Sequence, residues 1–208
     1  LIFTTNLKVA VNKSDIIFIC VGTPNKKKSQ SVDTSYVFNA IKEISKCTNN
    51  KKIIITKSTV PVGTGDQIEK ILKKIKRSNF EIISNPEFLR EGEAIRDFRY
   101  PDRIIVGSNN KKFFKTLQQL YQPLINKGSK FFKTTRRSAE LIKYASNAFL
   151  ATKITFINEL ANLCEKSNIN IEDISLGMGS DLRIGSRFLR AGPAYGGSCF
   201  PKDTKGLV

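Results

Sequence analysis

A cysteine near the end of the chain has the neighbours that nucleophilic chemistry requires. Cys199 lies in the segment GGSCFPKD (196–203), with glycines before it and with Lys202 and Asp203 shortly after it. Glycines leave the thiol accessible, and a nearby lysine favours the thiolate, which is the nucleophilic form. The alternative is a buried and inert thiol, which is the usual state of a lone cysteine. The segment favours a cysteine nucleophile and leaves that alternative open.

A lysine and an asparagine upstream have the spacing to act on one oxygen atom. Lys143 and Asn147 are four positions apart in a helical pattern, so their side chains are expected on one face of the helix. The alternative interpretation is a surface lysine whose apolar stem covers the helix beside an ordinary polar residue. The spacing alone does not decide between the two.

Three predicted strands are followed by residues that suit a ligand site. The segments after them are GTP (22–24), KSTVP (57–61) and NPEFLREG (85–92). Each segment alone is also explained as a turn between elements. Ligands of open parallel sheets bind at the carboxyl ends of the strands. The three segments together therefore favour a binding site at that edge of the sheet.

The elements that would position these residues form an α/β pattern. Apolar, β-branched runs at 15–21, 52–56, 81–84 and 103–107 predict strands that are buried on both faces. Helical patterns at 35–45, 65–76 and 111–121 alternate with them. This alternation predicts a parallel sheet with helices on its faces.

The pattern changes near residue 133. A stretch without Gly or Pro from Ser138, a plausible N-cap, to about Lys166 predicts one helix of roughly 43 Å. A helix of that length is expected to form a spine between domains or subunits. A shorter helix over 171–178 and a glycine-rich stretch over 192–197 follow it.

Composition excludes several classes of protein. Histidine is absent from the 208 residues, which excludes His-dependent triads and imidazole zinc sites, and no metal is expected. No apolar run reaches the roughly 18 residues of a bilayer span, and no secretory leader is expected. The four cysteines form no CxxC pair, so we expect a cytoplasmic protein.

The net charge of +17 is also typical of a different class of protein, a basic nucleic-acid-binding module. The basic residues are spread along the chain in pairs and triples instead of forming one block. This distribution favours a solvated surface, and a nucleic-acid partner is not the expected one.

Five segments, in order and nearly end to end, carry a resemblance to a known family. They are DIIFICVGTP (15–24), KSTVPVGTG (57–65), NPEFLREGEAIRDFRYPDRIIVG (85–107), AELIKYASNAFLATKITFINELANLCE (139–165) and GSDLRIGSRFLRAGPAYGGSCFPKD (179–203). The chain resembles the nucleotide-sugar 6-dehydrogenases of the UDP-glucose/GDP-mannose dehydrogenase family. NPEFLREG and GGSCFPKD at this spacing are its most specific motifs.

The resemblance implies a fold and an activity. The fold is α/β, with the remainder of a Rossmann-like NAD-binding domain at 1–134 and a central helical domain, built on the long helix, at 135–208. The activity is the NAD-dependent, four-electron oxidation of UDP-glucose to UDP-glucuronate. Cys199 would capture the intermediate aldehyde as a thiohemiacetal, which is oxidised to a thioester and hydrolysed. GDP-mannose is the alternative substrate.

The resemblance also assigns roles to individual residues. Cys199 corresponds to the nucleophile, Lys143 and Asn147 to the pair that stabilises negative charge on the C6 oxygen, and Glu87 to the carboxylate for thioester hydrolysis. Asp203 and Thr59 correspond to residues that order a water or transfer a proton. The implied NAD contacts are Val21, Gly22, Thr23, Pro24, Thr59, Glu91 and Lys202. The implied substrate contacts are Glu87, Phe88, Leu89, Arg90, Glu91, Lys143, Asn147, Arg183, Phe188, Leu189, Arg190, Ala191, Gly192 and Gly196.

Two further expectations concern assembly and completeness. In the family, the residue matching Arg183 reaches into the neighbouring subunit's site, which implies a homodimer built on the long helix. The GxGxxG unit that the family places before the first matching segment is not in the sequence, nor is the C-terminal domain. We therefore expect a fragment with weak or no activity alone, and an inactive oligomerising fragment is a further alternative.

Overall fold

The computed structural model describes residues 1–26, 31–77, 79–197 and 199–207, and the side chains of Cys199 and Leu207 lie outside that description. The chain forms two compact units, Leu1–Lys143 and Tyr144–Val208. The division falls inside a helix, whereas the sequence places the domain boundary after residue 134, which stays a prediction. None of the described helices combines the length and hydropathy that a bilayer crossing needs.

The first unit contains a five-stranded sheet. Its strands are β1 (Ile16–Ile19), β2 (Lys52–Thr56), β3 (Phe80–Ser84), β4 (Arg103–Gly107) and β5 (Lys130–Thr134). They lie side by side in chain order. The first three are parallel to one another, and β4 is parallel to β5. The predicted α/β class is confirmed.

One strand runs against the predicted direction. β4 is antiparallel to β3, with Ser84 opposite Gly107. A parallel connection needs a crossover that carries the chain back along the sheet, usually a full helix. Here the connection contains only the short helix α4 (Ala94–Arg99). The chain therefore does not return to the start of β3, and β4 runs back until its last residue lies opposite the last residue of β3. The prediction of an entirely parallel sheet is therefore wrong at this position.

Both faces of the sheet are covered, which explains the continuous apolar runs. The helices of this unit are α1 (Leu7–Asn12), α2 (Ser35–Cys47), α3 (Thr64–Lys74), α4, α5 (Phe113–Leu120) and α6 (Gln122–Ile125). On one face, Ile54 and Ile82 pack in a cluster with residues of α2 and α3. On the other face, Ile55 and Ile83 pack in a cluster that includes Leu117 of α5. Successive side chains of a strand point to opposite faces, so β2 and β3 each contribute to both clusters.

The remaining helices are α7 (Arg136–Ser167), α8 (Ile171–Gly179) and α9 (Cys199–Leu207). The predicted long helix is confirmed, but Ser138 is not its N-cap. The hydroxyl of Thr135 accepts a hydrogen bond from the Ser138 amide at 3.1 Å, which is the bond that a capping side chain makes. α7 begins in the first unit and continues in the second.

Candidate active site

The segments that follow β1 and β2 are fixed side by side. The Ser58 amide donates to the Ile19 carbonyl at 3.1 Å, and the Ser58 hydroxyl donates to the Val21 carbonyl at 2.6 Å. The Thr23 hydroxyl donates to the Thr59 carbonyl at 2.8 Å, so both predicted NAD contacts are buried beside each other. A Cβ placed on Gly22 would meet no atom within 4 Å, so open space lies above this turn. Pro24 is exposed at its end.

A buried polar cluster at the same edge was not predicted from the sequence. Asn85 is fully buried, and its Oδ1 accepts from Lys57 Nζ at 3.2 Å and from the Tyr121 hydroxyl at 2.5 Å. Its amide nitrogen donates to the Ile105 carbonyl at 2.7 Å. Lys57 and Asn85 both directly follow strands, which is the sequence signal that pointed to this edge.

The ionisable members of this cluster have shifted pKa values. Burial lowers the pKa of Lys57 to about 8, although the charge of Glu87 opposes the shift. Burial also raises the pKa of the Tyr121 hydroxyl above its ordinary value. A lysine whose charge is disfavoured by burial releases its proton more easily than a surface lysine does.

Two predicted catalytic residues form an ion pair in the first unit. Lys143 Nζ lies 3.0 Å from Glu87 Oε1, and Lys143 is only 3% exposed. The same amine lies 5.4 Å from the centre of the Phe88 ring. The other carboxylate oxygen of Glu87 accepts from the Leu89 amide at 2.6 Å. Lys143 is therefore a buried, paired cation, and the interpretation as a surface lysine is wrong.

Residues further along this loop are more exposed. Arg90 is tied to Asp97 by its backbone amide, its Nε and its Nη2, at 2.9, 2.9 and 2.6 Å. The hydrogen bonds from Arg90 lower the pKa of Asp97. Leu89, Arg90 and Glu91 all face solvent. Their predicted contacts with substrate or NAD stay predictions.

The second unit brings Asn147, Asp203 and Lys202 together. Asp203 is fully buried, and its Oδ2 accepts from Asn147 Nδ2 at 2.6 Å. Its Oδ1 forms an ion pair with Lys202 Nζ. These contacts connect α7 to α9. Cys199 is the first residue of α9, but its side chain lies outside the described residues.

The predicted substrate loop lies between α8 and α9. Arg183 is an exposed side chain that pairs with Asp181 at 2.6 Å. Phe188 has a left-handed backbone, with φ 66°, and its ring meets the edge of Phe200. The Leu189 side chain is buried, and its carbonyl accepts from Ser175 Oγ at 2.7 Å.

The rest of that loop is more open. The Gly192 amide donates to Asn158 Oδ1 at 2.9 Å. Arg190 and Gly196 are exposed, and Ala191 is half-buried. Their predicted contacts with the substrate stay predictions.

The fold and these strand-end residues define a class of protein. A mostly parallel sheet with helices on both faces and polar residues at its strand ends is the architecture of nucleotide-binding dehydrogenases. Residues 1–125 match the family model "UDP-glucose/GDP-mannose dehydrogenase family, NAD binding domain". Residues 137–208 match the model of the central domain of the same family.

Individual proteins agree with these models. A UDP-glucose 6-dehydrogenase of Rhizobium meliloti is 52% identical over 209 residues, covering 99% of this chain and 48% of the relative. One of Rickettsia prowazekii is 54% identical over 193 residues, covering 93% and 44%. The structure of a UDP-glucose dehydrogenase from Pyrobaculum islandicum superposes with a TM-score of 0.90 at 36% identity, covering 98% and 48%.

The chain belongs to the UDP-glucose/GDP-mannose dehydrogenase family. The predicted family, its Rossmann-like fold and NAD as the cofactor of its N-terminal domain are confirmed. The chain spans about half the length of the curated relatives that it matches.

Proposed function

We propose that this chain carries reacting groups of an NAD-dependent UDP-glucose 6-dehydrogenase, which oxidises UDP-glucose to UDP-glucuronate. The names of the relatives support the substrate. The observation that carries the proposal is the buried ion pair between Lys143 and Glu87 at the carboxyl end of β3. A buried cation next to a carboxylate is costly to maintain, so its presence at a ligand-facing edge favours a role in chemistry.

The residues at the ends of β1 and β2 fit a nicotinamide nucleotide. The open space above Gly22 allows a ligand to approach the backbone closely, and Thr23 and Thr59 hold this turn in place. Residues 21–24 and Thr59 are proposed to contact NAD, together with Glu91 and Lys202. NAD, when bound, supplies the acceptor for the hydride that leaves C6 in each of the two oxidations.

Lys143 and Asn147 are proposed to stabilise negative charge that develops on the C6 oxygen. Both residues belong to α7 and are four positions apart. The Lys143 amine is shielded from water, so it acts on a nearby charge more strongly than an exposed amine does. Its contact with Glu87 fixes its direction before substrate binds.

Cys199 is proposed to hold the substrate between the two oxidations. Its thiolate adds to the C6 aldehyde, and the oxygen that becomes negative takes up a proton to give a thiohemiacetal. Loss of that proton and of a hydride from C6 then leaves a thioester. Water adds to the thioester carbon and the thiolate leaves, which gives the carboxylate. Glu87 is proposed to take the proton of that water, and Asp203 to orient it.

A chimera tests this proposal in a complete enzyme. The chain replaces the 209 matching residues of the Rhizobium meliloti relative, and NADH is measured with UDP-glucose and with GDP-mannose. We expect two NADH for each UDP-glucose consumed, no acid from Cys199→Ala, and normal turnover from Cys47→Ser as the matched cysteine control. A folded chimera without NADH production, next to an active parent, would overturn the proposal.

GDP-mannose is the second candidate substrate. The structure of a GDP-mannose dehydrogenase from Pseudomonas aeruginosa superposes with a TM-score of 0.80 at 33% identity, covering 98% of this chain and 48% of that one. A chimera that oxidises only GDP-mannose assigns this substrate instead. A cytoplasmic location stays a prediction.

We propose that the partner of α7 is a second copy of this chain. Phe149, Phe156 and Leu163 are each at least half exposed, and they recur every seven residues, so they form one apolar stripe on the helix. Sedimentation of the chain is expected to show a dimer, and Phe156→Glu is expected to give a monomer. Asn162→Glu, an exposed change off the stripe, is the control that should leave the dimer intact. A wild-type monomer at all concentrations contradicts the proposal.

A further inference from the structure

The carboxylate of Glu140 lies in the interior of the first unit and accepts three hydrogen bonds. Glu140 is 3% exposed. Its Oε2 accepts from the Gly63 amide at 2.7 Å. Its Oε1 accepts from the Gly65 amide at 2.9 Å and from the Ser84 hydroxyl at 3.0 Å. Two backbone segments and one helix thus meet at a single side chain.

Each of these segments carries a residue that the proposed function uses. Gly63 ends the loop that contains Thr59, and Gly65 lies in the first turn of α3. Ser84 ends β3, three residues before Glu87. Glu140 itself is three residues before Lys143 on α7, about one helical turn away. One carboxylate therefore connects the backbones that present Thr59, Glu87 and Lys143.

The surrounding chain is shaped around this carboxylate. A Cβ on Gly65 would lie 3.0 Å from Glu140 Oε1 and 3.1 Å from Arg136 Cδ. Gly63 has a left-handed backbone, with φ 89°, a conformation that glycine adopts readily. Any larger residue at position 65 would crowd the carboxylate, and these side chains would have to move by a few tenths of an ångström.

Burial of a charged carboxylate at this position has an electrostatic cost. Burial raises the pKa of Glu140, although the hydrogen bonds from Gly65, Gly63 and Ser84 act in the opposite direction. The ionised carboxylate is thus less favourable here than in water. Its three hydrogen bonds fix this carboxylate against both segments, so its role includes what it holds in place.

We propose that Glu140 is a positioning residue that acts through Lys143. It holds the Lys143 amine against Glu87, and it keeps the loop that contains Thr59 in place beside these two residues. The inference rests on the proposed function, since it concerns the residues to which that function assigns the chemistry. Its geometric part can be tested on the chain alone, without turnover.

The test is competitive acetylation with acetic anhydride, read for each lysine by mass spectrometry. In Glu140→Ala, Lys143 is expected to react about tenfold faster, because local opening exposes its amine. Glu140→Gln is expected to be intermediate, since its single oxygen cannot accept all three hydrogen bonds. Lys52, which is also 3% exposed, reports global unfolding and is expected to change by less than about twofold.

A matched control separates positioning from docking of the helix. Glu69 pairs with Arg136 at the start of α7, so Glu69→Gln weakens the attachment of the helix but leaves the carboxylate of Glu140 in place. We expect Lys143 to keep its wild-type reactivity in this variant. The proposal is overturned if Glu140→Ala and Glu140→Gln leave the acetylation rate of Lys143 unchanged, or if the rates of Lys143 and Lys52 rise together.

A second readout uses the active chimera. Glu140→Gln is expected to lower kcat while the KM for UDP-glucose changes little, because the positioned amine acts mainly on charge that develops during the reaction. An inactive unmodified chimera would count against the proposed function, whereas the acetylation result stands independently of it. Equal losses in kcat for Glu140→Gln and Glu69→Gln would contradict a specific role of Glu140.

Discussion

Gly107→Ala is expected to displace the first turn of α7. Gly107 ends β4, and a Cβ there would lie 2.6 Å from Ala139 Cβ, 2.6 Å from the Thr135 carbonyl oxygen and 2.9 Å from Arg136 Cα. Ordinary contacts of this kind are about 3.5–4.0 Å, and two of these atoms belong to the backbone. The helix must therefore move away by about 1 Å, at least the shortfall in these distances.

The magnitude follows from three effects. Overpacking of this kind costs about 1–3 kcal/mol. The displacement also stretches hydrogen bonds of the buried Glu140 carboxylate, and each bond to a charged group contributes about 1.5–3 kcal/mol. Replacing glycine by alanine also restricts the unfolded chain, and this effect offsets the loss of stability by only about 0.4–1 kcal/mol. We expect the free energy of unfolding to fall by about 3 kcal/mol in total.

Urea unfolding followed by far-UV circular dichroism measures this loss. With a slope of about 2 kcal/mol/M, the midpoint is expected to fall by about 1.5 M. Gly177→Ala is the matched control, because Gly177 lies inside α8 and a Cβ there meets no atom within 4 Å. It is expected to raise stability by up to about 1 kcal/mol. A Gly107→Ala midpoint equal to that of the wild type would refute the close approach of α7 to β4.

Three further predictions concern the polar clusters. Asp203→Asn removes the charge that accepts from Asn147, so amide exchange in α9 is expected to speed up by about tenfold, and unchanged exchange would show that this charge does not hold α9. The lowered pKa of Lys57, about 8 against an ordinary 10.5, means that the unfolded chain binds more protons between these values. The free energy of unfolding is therefore expected to rise with pH over that window, and this rise is expected to be absent in Lys57→Met. Urea midpoints measured from pH 7.5 to 10.5 test both expectations. Tyr121→Phe removes one of two donors to Asn85 and is expected to lower stability by about 1 kcal/mol; no change in the urea midpoint would contradict that bond.

The sequence predicts β1 to β4 and does not predict β5. β2 and β4 have the predicted bounds because both of their faces are buried, which requires an uninterrupted apolar run. β5 (Lys130–Thr134) is an edge strand with exposed Lys130, Phe132 and Lys133. Charges at an edge prevent further pairing, and they also remove the apolar run by which a buried strand is recognised.

The site shows the same division between local and distant information. The motifs predict Lys143 and Glu87 as site residues, but they do not predict the contact between them, because the two residues are 56 positions apart in the sequence. The Lys57–Asn85–Tyr121 cluster was missed because its hydrogen bonds span 28 and 36 positions. Nothing in the sequence around Glu140 marks it as buried, and two of its three donors are backbone amides of glycines. A backbone donor leaves no side-chain pattern in the sequence.

The Phe88 ring has a consequence for the electrostatics of Lys143. The ring contacts two cations, the Lys143 amine and the Arg103 guanidinium, whose central carbon is 4.2 Å from the ring centre. The face of an aromatic ring carries a negative quadrupole, which neither acid nor base can neutralise. Lys143 therefore has two sources of negative potential, the Glu87 carboxylate and the face of the Phe88 ring. The ring thus holds the lysine amine beside Glu87 through a contact that carries no net charge of its own.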